Sequence, residues 1–479
     1  MGDPSTTSTL LWGHDIPEAA DPACLQPDLQ CRVCRGTSCF LARSLTGECS
    51  PDRYGHEFEE TACLGLCHQS PIVTNARDLQ EVTVRPDIRC EAPHAITTRH
   101  ILRKEATTLA SALRAGAYRN LIDGLSLHPD QLLTRIEASG ECGTSRISTG
   151  AIWRAAKKIA SHDGYVIAHA TDQESGAFLY RVLLEEDPHT LLEGMILCGY
   201  ASGSHRGIIS IPAPYLRAIQ VVEEAILEAR KDGALGNDIY CSGFDFDVQV
   251  QVGEINSLFQ QTIASEHPDS RTPEGQLAHL FGQHAIVNSL ETLMRVPYLL
   301  ENSEDFRDLG THASPGTKVL SLNAGFARPG LVEVEFGTTF REIIEDYAEG
   351  GRQGKPLLAV LIGGPSGSFL LPQDWDLPLC SETLDHHQIH LGDGGIIAVP
   401  QETDLRTLLF HLVQSNFRHA MPFPCAGSIP GILLNAAKQE QSVEELLRAL
   451  KSRESVCRCG CFQLPQPIET LLSLLRKGQ

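Results

Sequence analysis

The sequence predicts a multidomain α/β protein, and three observations carry that expectation. The chain has 479 residues, about three times the usual domain of roughly 100 to 200, so two to four packed cores are expected. Between about 150 and 255 helical and strand patterns alternate, the rhythm of helices layered on a sheet. The sixteen cysteines are unevenly spread. Cys24, Cys31, Cys34, Cys39, Cys49, Cys63, Cys67 and Cys90 fall early and Cys457, Cys459 and Cys461 crowd the end, so both ends call for chemistry that the middle does not.

The elements follow in chain order. After Cys90, EAPHAITTR reads as a linker into ILRKEATTLASALRAGAYRNLID, whose apolar spacing suits one amphipathic helix. AIWRAAKKIA is helical, YVIAHA a short buried strand and TLLEGMILCGYASG helical again. GIISIPA is a second strand, YLRAIQVVEEAILEARKDG a long helix ended by glycine, and DVQVQVG a third strand. Near 316 the texture changes: KVLSLNAG, LVEVEFG, the helix TTFREIIEDYAEGG and LLAVLIGG make a compact β-β-α-β unit. Four helical patterns close the chain, DLRTLLFHLVQSNFRHA, SIPGILLNAAKQ, SVEELLRALKSRES and PIETLLSLLRKG, and imply a helical bundle. The expected division is 1–95, 96–315, 316–400 and 401–479.

Composition narrows the function. Sixty acidic against thirty-nine basic residues give a net charge of −21, which repels phosphate backbones and anionic lipid and so excludes nucleic-acid and membrane-surface binding. An apolar share of 42 % with 21 % charged is an ordinary globular mix. No basic residue precedes the short apolar TLLW, and no stretch nears the roughly 18 apolar residues that span a bilayer. The expectation is a cytoplasmic protein without membrane insertion, whose thiols are reduced and available to a metal or to redox chemistry.

Cys34 and Cys39 in CRGTSC are separated by four residues, and Cys63 and Cys67 in CLGLC by three, with Gly36, Thr37, Ser38 and Gly65 among them. Such loops free backbone N–H groups to bond sulfur and suit an iron–sulfur site; zinc and unliganded thiols are the alternatives. CRGTSC followed by TACLGLCHQSPIV resembles the thioredoxin-like ferredoxin that sits beside the NADH-binding flavoprotein in respiratory complex I, NAD-linked hydrogenases and formate dehydrogenases. The resemblance implies that Cys34, Cys39, Cys63 and Cys67 hold one [2Fe–2S] cluster in a thioredoxin-like domain.

From about 139 onward the chain is similar to that flavoprotein itself, through EEDPHTLLEGM, HRGIISIPAPYLRAIQ, GNDIYCSGFDF, VNSLETL with VPYLL, RPGLVEVEFGTTFREIIEDYAEGG and IGGPSGSFL. The resemblance implies an α/β flavoprotein core, a β-grasp domain, and a bundle that normally carries a [4Fe–4S] cluster. Several signatures depart from the family's. The glycine-rich loop GRGGAGFPTG, where bare backbone reaches FMN, is here Glu141, Cys142, Gly143, Thr144, Ser145, Arg146, Ile147, Ser148, Thr149, Gly150. Glu141 and Arg146 add bulk, and Glu141 adds a charge unsuited to a phosphate. NADEMEPGT becomes His169 to Ala177, keeping Glu174 and Gly176, and GEETALINSL is cut to Gly253 to Leu258. These departures weigh against FMN and NADH.

The cluster loop CGxCxPCR becomes His419 to Ala426, leaving Cys425, with His419 and one of Cys457, Cys459 or Cys461 as candidate ligands of a rebuilt metal site, so the [4Fe–4S] cluster is not expected. His386, His387 and His390 read as exposed loop histidines. The leading expectation is therefore an iron–sulfur electron-transfer subunit of a hydrogenase-, formate dehydrogenase- or complex I-like assembly that has lost NADH oxidation. The first alternative is an active FMN-dependent NADH:acceptor oxidoreductase using Gly143, Glu174 and Gly176, the second a structural subunit without a redox centre.

Overall fold

The computed structural model describes residues 32–46, 59–61, 63–74, 85–103, 107–143, 147–159, 164–170, 176–253, 272–273, 276–419 and 466–476. Its strands form three sheets.

The smallest comes first. Strand β1 (Arg32–Cys34) lies between β2 (Glu59–Thr61), which runs parallel to it, and β3 (Val73–Thr74), which runs antiparallel. The chain leaves β1 through Arg35 and Gly36 straight into helix α1 (Thr37–Thr46), whose first turn closes with Phe40 N–H donating to the Gly36 carbonyl at 2.9 Å. Leu41 of α1 is buried among Leu361, Phe369 and Ile397 of a later sheet, so the thiol-bearing segment is packed onto the rest of the chain.

Strand β4 (Ile88–Cys90) follows and joins the largest sheet, far from its neighbours in sequence. The long amphipathic pattern after the linker forms three short helices rather than one, Arg99–Arg103, Leu109–Ala115 and Arg119–Leu125. Thr108 caps the second of them, and Gly116 ends it at φ +100°, a left-handed turn that glycine adopts without steric cost.

The middle of the chain is the alternating layer that the sequence predicts. The short runs rich in β-branched residues become β5 (Tyr165–His169), β6 (Arg206–Ile211) and β7 (Asp247–Val252), all parallel. On the other side of β5 lies β9 (Gln283–Ser289), also parallel, followed at the edge by antiparallel β8 (Ala278–Leu280), giving the order β7-β6-β5-β9-β8. The helices are α2 (Thr149–Ile159), α3 (Leu179–Glu186), α4 (Pro188–Ser202), α5 (Leu216–Asp232) and α6 (Leu290–Asp308). Helix α4 is apolar on nearly every face and buried along almost its whole length. At Gly194 a Cβ would lie 2.0 Å from the Leu293 carbonyl, so α4 and α6 meet backbone to backbone.

The third sheet has the order β13-β12-β14-β10-β11-β4. Strands β10 (Thr317–Leu322) and β11 (Gly330–Glu335) form a hairpin, and a wide π-type turn, Glu342–Tyr347, replaces the α-helix expected after it. Strands β12 (Leu357–Ile362), β13 (Ser368–Leu370) and β14 (Gly395–Pro400) complete the unit. Strand β4 pairs parallel with β11 at the edge, and just beyond it the N–H groups of Ile96, Thr97 and Thr98 donate to the buried Glu333 carboxylate at 2.9, 2.9 and 3.0 Å. Helices α7 (Leu405–His419) and α8 (Gln466–Arg476) share a leucine-rich core with this sheet. The two helices expected between them lie outside the described residues.

Candidate functional site

Two sites take shape, and the first follows from strand order. The chain runs outward from β5 through β6 to β7 and then returns to the other side of β5 as β9, so the order reverses between β5 and β9. Loops leave the sheet in opposite directions there and open a crevice at the carboxyl ends of the strands. His169 and Ser289 end the two strands and face each other in register. A cavity of about 320 Å³ adjoins this end, lined by Glu141, Cys142, Gly143, Ser289, Thr292 and Lys318 among others. Ser289 also caps α6, accepting from Thr292 N–H, so the N-terminal end of a long helix lies at the cavity.

A largely buried ionic network lines part of the cavity wall. Arg295 donates to Glu141 at 3.2 Å, to Glu291 at 2.6 Å and to the Thr317 carbonyl at 2.5 Å, and Lys318 binds the other Glu291 oxygen. Burial alone would raise the Glu291 carboxyl, but Arg295 and Lys318 hold it below the ordinary range. Glu141 is 3 % exposed, and besides Arg295 it accepts the Gly143 N–H at 2.9 Å. At the strand ends the buried Nδ1 of His169 has no hydrogen-bond partner among the described residues, and burial lowers the ring's pKa. Tyr180 donates to Asp393 at 2.9 Å close by.

The second site is the thiol cluster. Cys34 ends β1, Cys39 lies in the first turn of α1, Cys63 follows β2, and Cys67 opens a short 3-10 turn, Cys67–Gln69. Cys34, Cys39 and Cys67 are 2 %, 1 % and 1 % exposed, and Cys63 is half-buried. The sulfurs are gathered: Cys34, Cys39 and Cys63 pack in one cluster, and Cys63 Sγ lies 3.9 Å from Cys67 Sγ. Hydrogen bonds from Cys39 and Cys63, with the N–H groups of Gly36 and Leu64, hold the Cys34 thiol well below its usual range. The same bonds, added to burial, push Cys39 and Cys63 up.

Hydrogen bonds from within the thiol segment and from distant parts of the chain finish this site. Ser70 Oγ accepts from the Cys39 thiol at 3.5 Å and bonds Ser38 Oγ at 2.7 Å, and Asn323, just past β10, donates to Ser38 at 2.9 Å. Arg181 of α3 donates to the Leu64 carbonyl at 3.1 Å. Sequence reading missed Arg181, Arg295, Lys318 and Asn323. A signal existed for one of them: Glu291 and Arg295 are an i,i+4 charge pair inside the apolar LETLMRVPYLL, and charges on a buried helix need a purpose.

Residues 140–298 match the model of the Nuo51 FMN-binding domain. The chain is 31 % identical over 409 residues to the F subunit of NADH-quinone oxidoreductase from Escherichia coli (strain K12), covering 81 % of this chain and 86 % of that one. The chain belongs to the family of NADH-quinone oxidoreductase F subunits. It is also 33 % identical over 296 residues to NADP-reducing hydrogenase subunit HndC of Solidesulfovibrio fructosivorans, covering 60 % of each. Its fold is like that of a chain of the NAD⁺-reducing [NiFe]-hydrogenase in the H2-reduced state, with a TM-score of 0.69 over 94 % of this chain and 82 % of that chain, at 20 % identity.

Membership in this family corrects the expectation that weighed against FMN and NADH. The matched FMN-binding domain includes the altered loop itself, and the structure gives the physical reason that its changes were misread. Glu141 does not present its charge to a phosphate; the carboxylate turns inward and is spent on Arg295 and Gly143 N–H. Gly143 retains a left-handed φ of +52°, and a Cβ there would lie 2.9 Å from Thr292 Oγ1, so the glycine at the cavity rim is required. With the Ser289 end of α6 and the His169 nitrogen, which has no partner among the described residues, these residues fit a phosphorylated, ring-bearing ligand.

Gly176 is buried at φ +120° against Ile397. Glu174 and Arg146 lie outside the described residues, as do Cys425, Cys457, Cys459, Cys461 and the side chain of His419, so the rebuilt metal site and the [4Fe–4S] cluster fall there. His386, His387 and His390 are exposed. Among the described residues no helix is long and apolar enough to cross a membrane.

Proposed function

We propose that this chain is the NADH-oxidising flavoprotein subunit of a redox complex, binding FMN in the crevice between β5 and β9 and holding a [2Fe–2S] cluster on Cys34, Cys39, Cys63 and Cys67. The observation that carries the reading is the neutralisation of Glu141 by Arg295, which removes an uncompensated negative charge from the cavity beside Gly143 and the N-terminal end of α6. Bound FMN would supply the chemistry of accepting a hydride as an electron pair and releasing electrons singly. The chain's own residues do the rest. The N-terminal end of α6 at Ser289 would receive the phosphate end, Gly143 leaves room for it at the cavity rim, and the His169 nitrogen, without a partner among the described residues, would be offered to the ring.

Four gathered thiols suit a metal centre, and the resemblance of CRGTSC and TACLGLCHQSPIV to the [2Fe–2S] ferredoxin favours two irons over zinc. The thioredoxin-like fold of the first segment, the β-grasp identity of the third sheet and assembly with hydrogenase-, formate dehydrogenase- or complex I-like subunits are part of the same reading. They are supported by the family, by the strand–helix–strand order around the thiols, and by the buried surfaces that join the parts.

The test is anaerobic purification with iron, followed by flavin extraction, NADH–ferricyanide assay and low-temperature EPR. Bound FMN, NADH-dependent ferricyanide reduction and a reduced-state signal from two irons per chain are expected. Flavin-free protein that leaves NADH unoxidised sinks the enzyme reading, and protein without iron or flavin leaves a structural subunit.

A further inference from the structure

One buried cation borders the thiol site, bonding a backbone carbonyl there rather than a cysteine side chain. Arg181 stands in the first turn of α3 and is 6 % exposed. Its Nε donates to Glu185 at 2.7 Å, one turn along the same helix, and its Nη1 leaves the helix to donate to the Leu64 carbonyl at 3.1 Å, within the Cys63–Cys67 loop. The loop is shaped around it. Gly65 holds a left-handed φ of +62°, and a Cβ there would lie 3.1 Å from Arg181 Cδ and 2.8 Å from the Tyr215 hydroxyl. Leu64 in turn packs with Cys34 and Cys39 in one buried cluster.

We propose that Arg181 is a positioning residue that anchors the Cys63–Cys67 loop to the flavoprotein core and raises the reduction potential of the iron–sulfur centre, with Glu185 as the counter-charge that limits the effect. This rests on the [2Fe–2S] reading above. Uptake of one electron makes a four-thiolate diiron centre more negative by one charge. A guanidinium held out of water beside it favours the reduced form, because little solvent lies between to screen the field. Arg43 makes a similar bond to the Cys34 carbonyl at 2.7 Å, but it is only half-buried, so water screens its charge. Glu185 is 8 % exposed, and apart from Arg181 its nearest cation is Arg217 at 3.9 Å. Neutralising either member of the pair therefore leaves the other's charge to act on the cluster, with opposite sign.

The experiment is a redox titration of the whole iron-loaded protein with dithionite and mediators, read by EPR, for wild type, Arg181→Gln, Arg181→Lys and Glu185→Gln. Arg181→Gln should lower the reduced-to-oxidised ratio about tenfold at the wild-type midpoint, equivalent to about 59 mV for one electron. Arg181→Lys should restore most of that loss, and Glu185→Gln should shift the potential upward. Intact signals with unmoved potentials, or shifts of one sign in both neutral variants, would make Arg181 a structural ion pair only. If Arg181→Gln does not fold, the upward shift in Glu185→Gln still decides. A wild type without iron or signal overturns the cluster reading itself, and this proposal with it.

Discussion

Arg295 shows how one side chain can alter the meaning of a motif. Read in sequence, Glu141 in the phosphate loop is an intruding negative charge; in the fold it is half of a buried pair whose cation arrives from a distant helix. Replacing Arg295 by Met would strand Glu141 and leave Glu291 with Lys318 alone, a loss of about 3–5 kcal/mol, visible as a lower midpoint in urea unfolding. At the thiols, Cys39→Ser should abolish the EPR signal and bound iron while flavin content and NADH–ferricyanide activity stay near wild type, since Cys39 faces Ser70 and not the crevice. Loss of flavin in that variant would mean that the two sites do not stand apart. The thiol residues were legible because their spacing is local. Arg181 and Asn323 were not, because each reaches its partner across a domain junction that no spacing encodes.

Among the elements, α4 was the easiest to read and hides the least expected group. Glu193 is 2 % exposed on this apolar helix and accepts the Leu121 N–H at 2.9 Å. Burial, opposed by those backbone bonds and by Arg99, pushes its carboxyl up to about 7. A carboxyl whose folded pKa lies above its unfolded one binds its proton more tightly in the native state, so its support is complete at low pH and fades as pH rises through 7. Glu193→Gln should then be more stable than wild type by about 3 kcal/mol at pH 8 and equal to it near pH 4, as thermal unfolding at the two pH values would show. The strands of the central sheet were legible as short β-branched runs, and the hairpin of β10 and β11 likewise. The broken helix at Gly116 was not, because its apolar spacing continues through a residue that the backbone uses as a stop.

At the scale of the whole molecule, the parts are joined by intimate packing rather than by loose linkers. Leu41 of the thiol segment shares a core with the third sheet and the last helices, while Cys67 shares one with the flavoprotein layer. Strand β4 is the clearest case: it follows the thiol loops in sequence yet forms the edge of a sheet whose other strands come after 316. A chain starting at residue 85 keeps that edge covered, whereas one starting at 92 bares β11. The shorter chain should self-associate in size-exclusion chromatography and the longer one should not; equal behaviour would mean that the strand contributes little. The α/β class and the order of the units could be read from the alternation of patterns, but this return of an early strand to a late sheet could not, since parallel pairing leaves no turn signature. The pairing also dictates a timetable during synthesis. Ribosomes add about 5–20 residues per second, so β4 waits on the order of tens of seconds for β11, and Arg181 and Asn323 likewise emerge after the thiols they serve. The nascent sulfurs are therefore born without their final surroundings, which are complete only after Asn323 has emerged.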